Sequence, residues 1–136
     1  IPELVPLLEQ SGRLEIVEGE YSKALGTSVR FHYSQGHTPG LMLAEIVGDD
    51  NQHGVVFCAD LIPGRPWVHL PVTMGYDRFP EILIDEKKEF LQDKLSRHVR
   101  LYFTHDVDCA MAEVACDEKG RFSTVNENES LLAYEI

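Results

Sequence analysis

Apolar positions along the chain follow two rhythms. Residues 2–11 place Leu4, Leu7 and Leu8 at helical spacing ahead of Gly12, which predicts a short helix with a glycine stop. Four stretches then read as strands, at 13–19, 29–34, 41–48 and 54–60. The last of them, GVVFCAD, is apolar almost throughout, as in a strand covered on both faces. Residues 61–77 carry three prolines and two glycines over a length that ordinary connections rarely need. With Trp67, Val68, Leu70 and Met74 among them, they predict a functional loop rather than a flexible linker. Asp77 then stands at a helix-capping position, Pro80 falls in the first turn, and Leu83, Ile84, Phe90, Leu91 and Leu95 form an apolar arc. That helix is predicted to end near His98. Residues 99–105 alternate as a strand, and 111–116 with 121–125 flank the turn DEKG as a hairpin.

Composition narrows the class. At 136 residues the chain suits a single domain, 1–136, and 43% apolar with 26% charged residues predicts a packed, soluble fold, which the mix of predicted helices and strands makes α/β. A net charge of −11 repels a phosphate backbone, and the 12 Lys and Arg form no basic stripe, so nucleic acid is not an expected partner. No membrane partner or secretory leader is expected either, since no long apolar run and no basic-then-apolar segment occurs. Three cysteines, at 58, 109 and 116, make no C-x-x-C pair and no disulfide framework, which favours a reducing, cytoplasmic setting. The chain begins at Ile1 rather than Met, as expected of a piece cut from a longer protein.

Three residues of metal-binding type occupy one kind of place. His37, in SQGHTPGL, Asp60, closing GVVFCAD, and His105, in LYFTHD, each follow a predicted strand or sit at its last residue. Ligands of α/β sheets collect beyond the carboxyl ends of strands. Taken singly, Asp60 also reads as a turn cap, His105 as a hydrogen-bonded core histidine and His37 as a loop residue. Jointly they point to a divalent metal, because three accidents would have to fall at matching positions. Asp60 weighs most, since a carboxylate at the end of an apolar strand is costly to bury without a partner.

In that order and spacing, GHTPG, FCADLIP and LYFTHD resemble the second half of metallo-β-lactamase-fold hydrolases, over about residues 13 to 125. The resemblance implies a four-layer αββα sandwich of which this chain is the C-terminal half, a mixed β-sheet with flanking helices. It further implies that His37 belongs to the first metal site, that Asp60 bridges two ions and that His105 belongs to the second site. Two zinc or similar ions would lower the pKa of a shared water, so that hydroxide attacks a small ester, lactone, thioester or amide. Lactonase-like relatives suggest His69 and Tyr76, with Trp67, as residues bordering the substrate pocket.

The family's His-x-His-x-Asp-His motif is missing, because the six histidines at 32, 37, 53, 69, 98 and 105 form no His-x-His pair. Each centre would then hold two of the roughly four ligands zinc takes, so the chain alone is expected to bind metal weakly and to be inert. Half a sandwich also leaves an apolar sheet face open, which favours a homodimer through that face. Two alternatives stay open: a non-catalytic interaction module, in which alanine at Asp60 changes nothing, and a mononuclear iron oxygenase using His37 and Asp60 without His105. Cys58 reads as a buried small hydrophobe, His32 and His53 as exposed strand and turn residues, and His98 as a cation at a helix C-terminus.

Overall fold

The computed structural model describes residues 2–132. Helix α1 (Leu4–Gln10) leads into a seven-stranded sheet whose spatial order follows the chain: β1 (Tyr21–Ser22), β2 (Gly26–Ser34), β3 (Leu41–Ile46), β4 (Val55–Phe57), β5 (Arg100–Tyr102), β6 (Met111–Cys116) and β7 (Phe122–Asn128). Helix α2 (Pro80–Arg97) lies between β4 and β5, the one parallel pair; every other pairing is antiparallel. Strands β2, β4 and β5 therefore run in the same direction and end at the same edge of the sheet. Among the described residues no helix is long and apolar enough to cross a membrane.

Three expected strands come out differently, one of them 99–105, which pairs only over Arg100–Tyr102. Residues 13–19 form no strand, because Glu15 turns the chain back by accepting hydrogen bonds from the Ser22 hydroxyl and the Lys23 and Ala24 amides. Only Tyr21–Ser22 pairs with β2 at that edge. The run at 54–60 pairs only over Val55–Phe57, after which Ala59 takes a left-handed φ of 43° and the amides of Leu61 and Ile62 fold back onto the Cys58 carbonyl. This tight turn, rather than the strand itself, presents Asp60.

Side-chain alternation divides the sheet into two faces. One carries Leu43, Val56, Cys58, Leu101, Phe103 and Val114 and is covered by Leu83, Phe90 and Leu91 of α2. Burial pushes the Cys58 thiol up, so it stays protonated and packs as a small hydrophobe. The other face exposes Tyr33, Met42, Ile46, Phe57 and Tyr102, and a shallow cavity there is lined by Ala44, Val55, Met111 and Leu131. Helix α1 has no buried residue, and its Leu4, Val5, Leu7 and Leu8 are exposed. The rhythm of the sequence thus carries more apolar surface than the described residues cover.

The core-facing side of α2 also holds Lys87, Lys94 and Arg97, at helical spacing from Leu83, Phe90 and Leu91. Lys94 and Arg97 converge on Glu45, an inward-facing residue of β3: Lys94 Nζ lies 2.6 Å from Glu45 Oε2, and Arg97 donates to both carboxylate oxygens at 2.6 and 2.8 Å. His32 adds a ring nitrogen 2.8 Å from the same carboxylate, so it faces inward and is not the exposed strand residue its sequence position suggested. Against the burial that would raise it, these bonds hold the Glu45 carboxyl far below its ordinary range.

Candidate metal centre

The shared edge brings His37, Asp60 and His105 together. His37 Nε2 lies 3.4 Å from Asp60 Oδ2, and His105 Nε2 lies 3.1 Å from Asp60 Oδ1, so each imidazole addresses a different oxygen of one carboxylate. Asp60 is 38% exposed and His105 65%, so two of the three side chains open to solvent; this also removes the core-histidine alternative for His105. Among the described residues, no three His, Cys, Asp or Glu side chains form a ready cage for a single ion. The donor set fits a share of a two-ion site: one carboxylate with two outward oxygens, flanked by one imidazole on each side.

Each residue is held by a device of its own. The GHTPGL turn is closed by a Leu41 amide to Thr38 carbonyl bond of 3.0 Å, with Pro39 at its second position and Gly40 at φ 80° at its third, as a type II turn requires. Glu86 of α2 anchors the approach to His37, accepting from the Ser34 hydroxyl at 2.6 Å, the Gln35 amide at 2.7 Å and the Gly36 amide at 3.1 Å. Asp77 lies 2.8 Å from His37 Nδ1 and also accepts the Met74 amide at 2.6 Å, with its own side chain fully buried. A carboxylate accepts only, so Nδ1 donates the bond to Asp77, and Nε2 is the nitrogen that faces Asp60. Asp77 therefore does not cap α2, whose start is made by Pro80 without a side-chain cap.

His105 is set by the loops around it. Its amide donates to the Pro63 carbonyl at 2.9 Å, and the Thr104 hydroxyl donates to the Ala59 carbonyl at 3.2 Å, joining the turns after β4 and β5. Asp106 grips Arg65 through the Arg65 amide at 3.0 Å, Nε at 2.8 Å and NH2 at 2.9 Å. Tyr76 is 71% exposed and stands edge-on to the His37 ring at 5.9 Å between centroids. His69 is exposed, and its ring bonds to none of the three residues. Glu86, Asp77 and Asp106 were not singled out for the site in the sequence; a carboxylate 40 or 50 residues from its partner leaves no periodic signal.

Acid should loosen this arrangement in a defined window. Hydrogen bonds from Arg65 hold the Asp106 carboxyl down to about 2, and, against its burial, those from Arg97 and Lys94 hold Asp93 down to about 2. Both carboxyls are lowered in the folded state, so their stabilisation is present above about pH 4 and is lost as pH falls toward 2. The urea midpoint should therefore fall steeply from pH 4 to pH 2. In Asp106→Asn that fall should be shallower, and an unchanged slope would show the pair contributes nothing.

Comparison with known proteins agrees with the fold. No protein-family model and no curated protein matches the chain. Among solved structures, it is similar to a "probable metal-dependent hydrolase" from Staphylococcus aureus, at 19% identity and a TM-score of 0.70, over 90% of this chain and 42% of that one. It is similar to AidC, a dizinc quorum-quenching lactonase, at 21% identity and a TM-score of 0.68, over 96% of this chain and 43% of that one. It is also similar to AbOPH, a hydrolase of the beta lactamase superfamily, at 11% identity and a TM-score of 0.66, over 89% of this chain and 40% of that one. The described sheet and helices thus have the architecture of half a metallo-β-lactamase sandwich. The chain spans about two-fifths of the length of the structures it matches.

Proposed function

We propose that His37, Asp60 and His105 are the second half of a two-metal site and that the assembled protein is a metal-dependent hydrolase of small esters, lactones, thioesters or amides. The observation that carries this is the single carboxylate shared between two imidazoles at 3.4 and 3.1 Å. His37 would serve one ion, His105 the other, and Asp60 both. When bound, zinc or a similar ion would supply a hydroxide at neutral pH and polarise the substrate carbonyl. The chain's own residues do the holding: Asp77 fixes the His37 tautomer, and Glu86 fixes the turn that carries the ring. Tyr76, edge-on to His37, and His69 would border the approach to the site.

The remaining ligands would come from a complementary half-sandwich seated on the open face of Tyr33, Met42, Ile46, Phe57 and Tyr102. A second copy of the chain is the other occupant to test, and sedimentation with and without the complementary half tells them apart. The deciding experiment combines this chain with a half carrying the His-x-His-x-Asp-His motif, loads zinc and assays lactones and esters. Activity should appear only in the combination and vanish in Asp60→Ala. In Asp77→Asn metal affinity should drop by roughly 10- to 100-fold, the usual cost of removing a group that orients a histidine ligand. An Asp60→Ala variant as active as the parent would refute the proposal.

A further inference from the structure

Residues 61–77 run from one carboxylate of the candidate site, Asp60, to another that serves it, Asp77. Three groups of contacts shape this loop. Its beginning is tied to the turn carrying His105, through Pro63 and through Arg65 with Asp106. Its end is tied to His37 by Asp77. Its middle rests Arg65–Val68 against β7 and buries Val68 in the core, and there the amino group of Lys87 also reaches across from α2. Lys87 Nζ donates to the carbonyls of Val72 at 2.6 Å, Trp67 at 3.0 Å and His69 at 3.4 Å.

This is an unusual use of a lysine. Its side chain is fully buried, and the Asp77 carboxylate attracts its ammonium without hydrogen-bonding to it. Desolvation pushes the ammonium down to about 8, which still leaves it mostly charged at neutral pH. An ammonium has three donors, and here three backbone oxygens meet them, so much of the cost of burying the charge is offset while the loop keeps its course. Two of those oxygens, on Trp67 and His69, sit at the end of the 3₁₀ turn Arg65–Val68, and the His69 carbonyl also accepts the Val72 amide at 3.0 Å.

We infer that Lys87 is a positioning residue: its buried ammonium gathers the carbonyls of Trp67, His69 and Val72 and so fixes the course of the loop between Asp60 and Asp77. The inference rests on the proposed function only for what the loop borders, namely the metal-binding edge and the approach lined by Trp67 and Tyr76. A neutral residue of the same length fills the space without organising the carbonyls. The loop then opens locally while α2 and the sheet stay packed.

The test needs neither metal nor activity, so its outcome is separate from that of the hydrolase proposal. Trp67 is the only tryptophan in the chain and lies within the clamped segment, which makes it a built-in reporter. In Lys87→Met, emission of Trp67 should shift to longer wavelength and amide exchange at 66–73 should quicken by roughly 10- to 100-fold, as for lost hydrogen bonds to a charged donor. Exchange in α2 and β3–β5 should stay within about twofold, and the ring signals of His37 should move as the Asp77 turn loosens. Lys87→Gln, which keeps two donors, should recover part of each change. Unchanged emission and exchange in the Met variant overturn the inference. Equal loss of protection across the whole sheet in both variants overturns it too, because Lys87 would then be a general core residue.

Discussion

Glu45→Ala should remove a third or more of the stability of this protein. The substitution leaves Lys94 fully buried and Arg97 nearly so, facing a vacancy where a carboxylate took three of their hydrogen bonds. Breaking one side of a buried ion cluster costs about 3–5 kcal/mol, against a total of about 5–15 kcal/mol for a domain of ordinary size. Asp93 remains as a partner to both cations but is 44% exposed, so it compensates only in part. Urea unfolding followed by circular dichroism should show the midpoint falling by a third or more. Replacing Glu45, Lys94 and Arg97 together with Leu, Met and Leu should cost far less, because the charge then left without its partners, on Asp93, is 44% exposed and can be solvated. A single-variant loss below about 1 kcal/mol would mean that solvent reaches the cluster.

The second large effect belongs to a missing methyl group. A Cβ added to Gly36 would lie 2.5 Å from the backbone nitrogen and Cα of Leu83, in the first turn of α2. The obstacle is main chain, which cannot rotate aside, so Gly36→Ala must push the turn and the helix apart. Overpacking of this kind costs about 1–3 kcal/mol and sometimes more. It also breaks geometry that matters: the Phe79 amide donates to the Gly36 carbonyl at 2.8 Å, the Arg78 amide to the His37 carbonyl at 3.1 Å, and Glu86 holds the Gly36 amide. The variant should therefore both lower the urea midpoint and displace the His37 ring signals, whereas a change on the far side of the sheet should do only the first. A Gly36→Ala protein with parental stability would show that the contact has slack.

Much of the site could be read along the chain because its parts are local. The TPG turn needs proline and glycine at adjacent positions, and strand endings show as a change from apolar to polar rhythm. So the residue types, their order and their place at strand ends were all accessible for His37, Asp60 and His105. The short strand at Val55–Phe57 was overestimated because apolar rhythm continues through Cys58 and Ala59 while the backbone already turns. The stretch at 13–19 alternates like a strand, but pairing requires a neighbour, and Glu15 finds its hydrogen bonds in 22–24 instead.

What tertiary structure alone decided is where the charges go. In LMLAEI the alternation sends Leu41, Leu43 and Glu45 to one face and Met42, Ala44 and Ile46 to the other. Nothing within β3 says that the face holding a glutamate is the buried one. That follows from α2, nearly 50 residues on, whose Lys94 and Arg97 meet Glu45 across the core. The same holds for Asp77 at His37, Glu86 at the turn and Lys87 at the loop: each is a polar side chain whose role depends on a partner distant in sequence. Apolar periodicity records how much surface a segment must hide, whereas hydrogen-bonding partners become identifiable only when the chain has brought them within about 3 Å of one another.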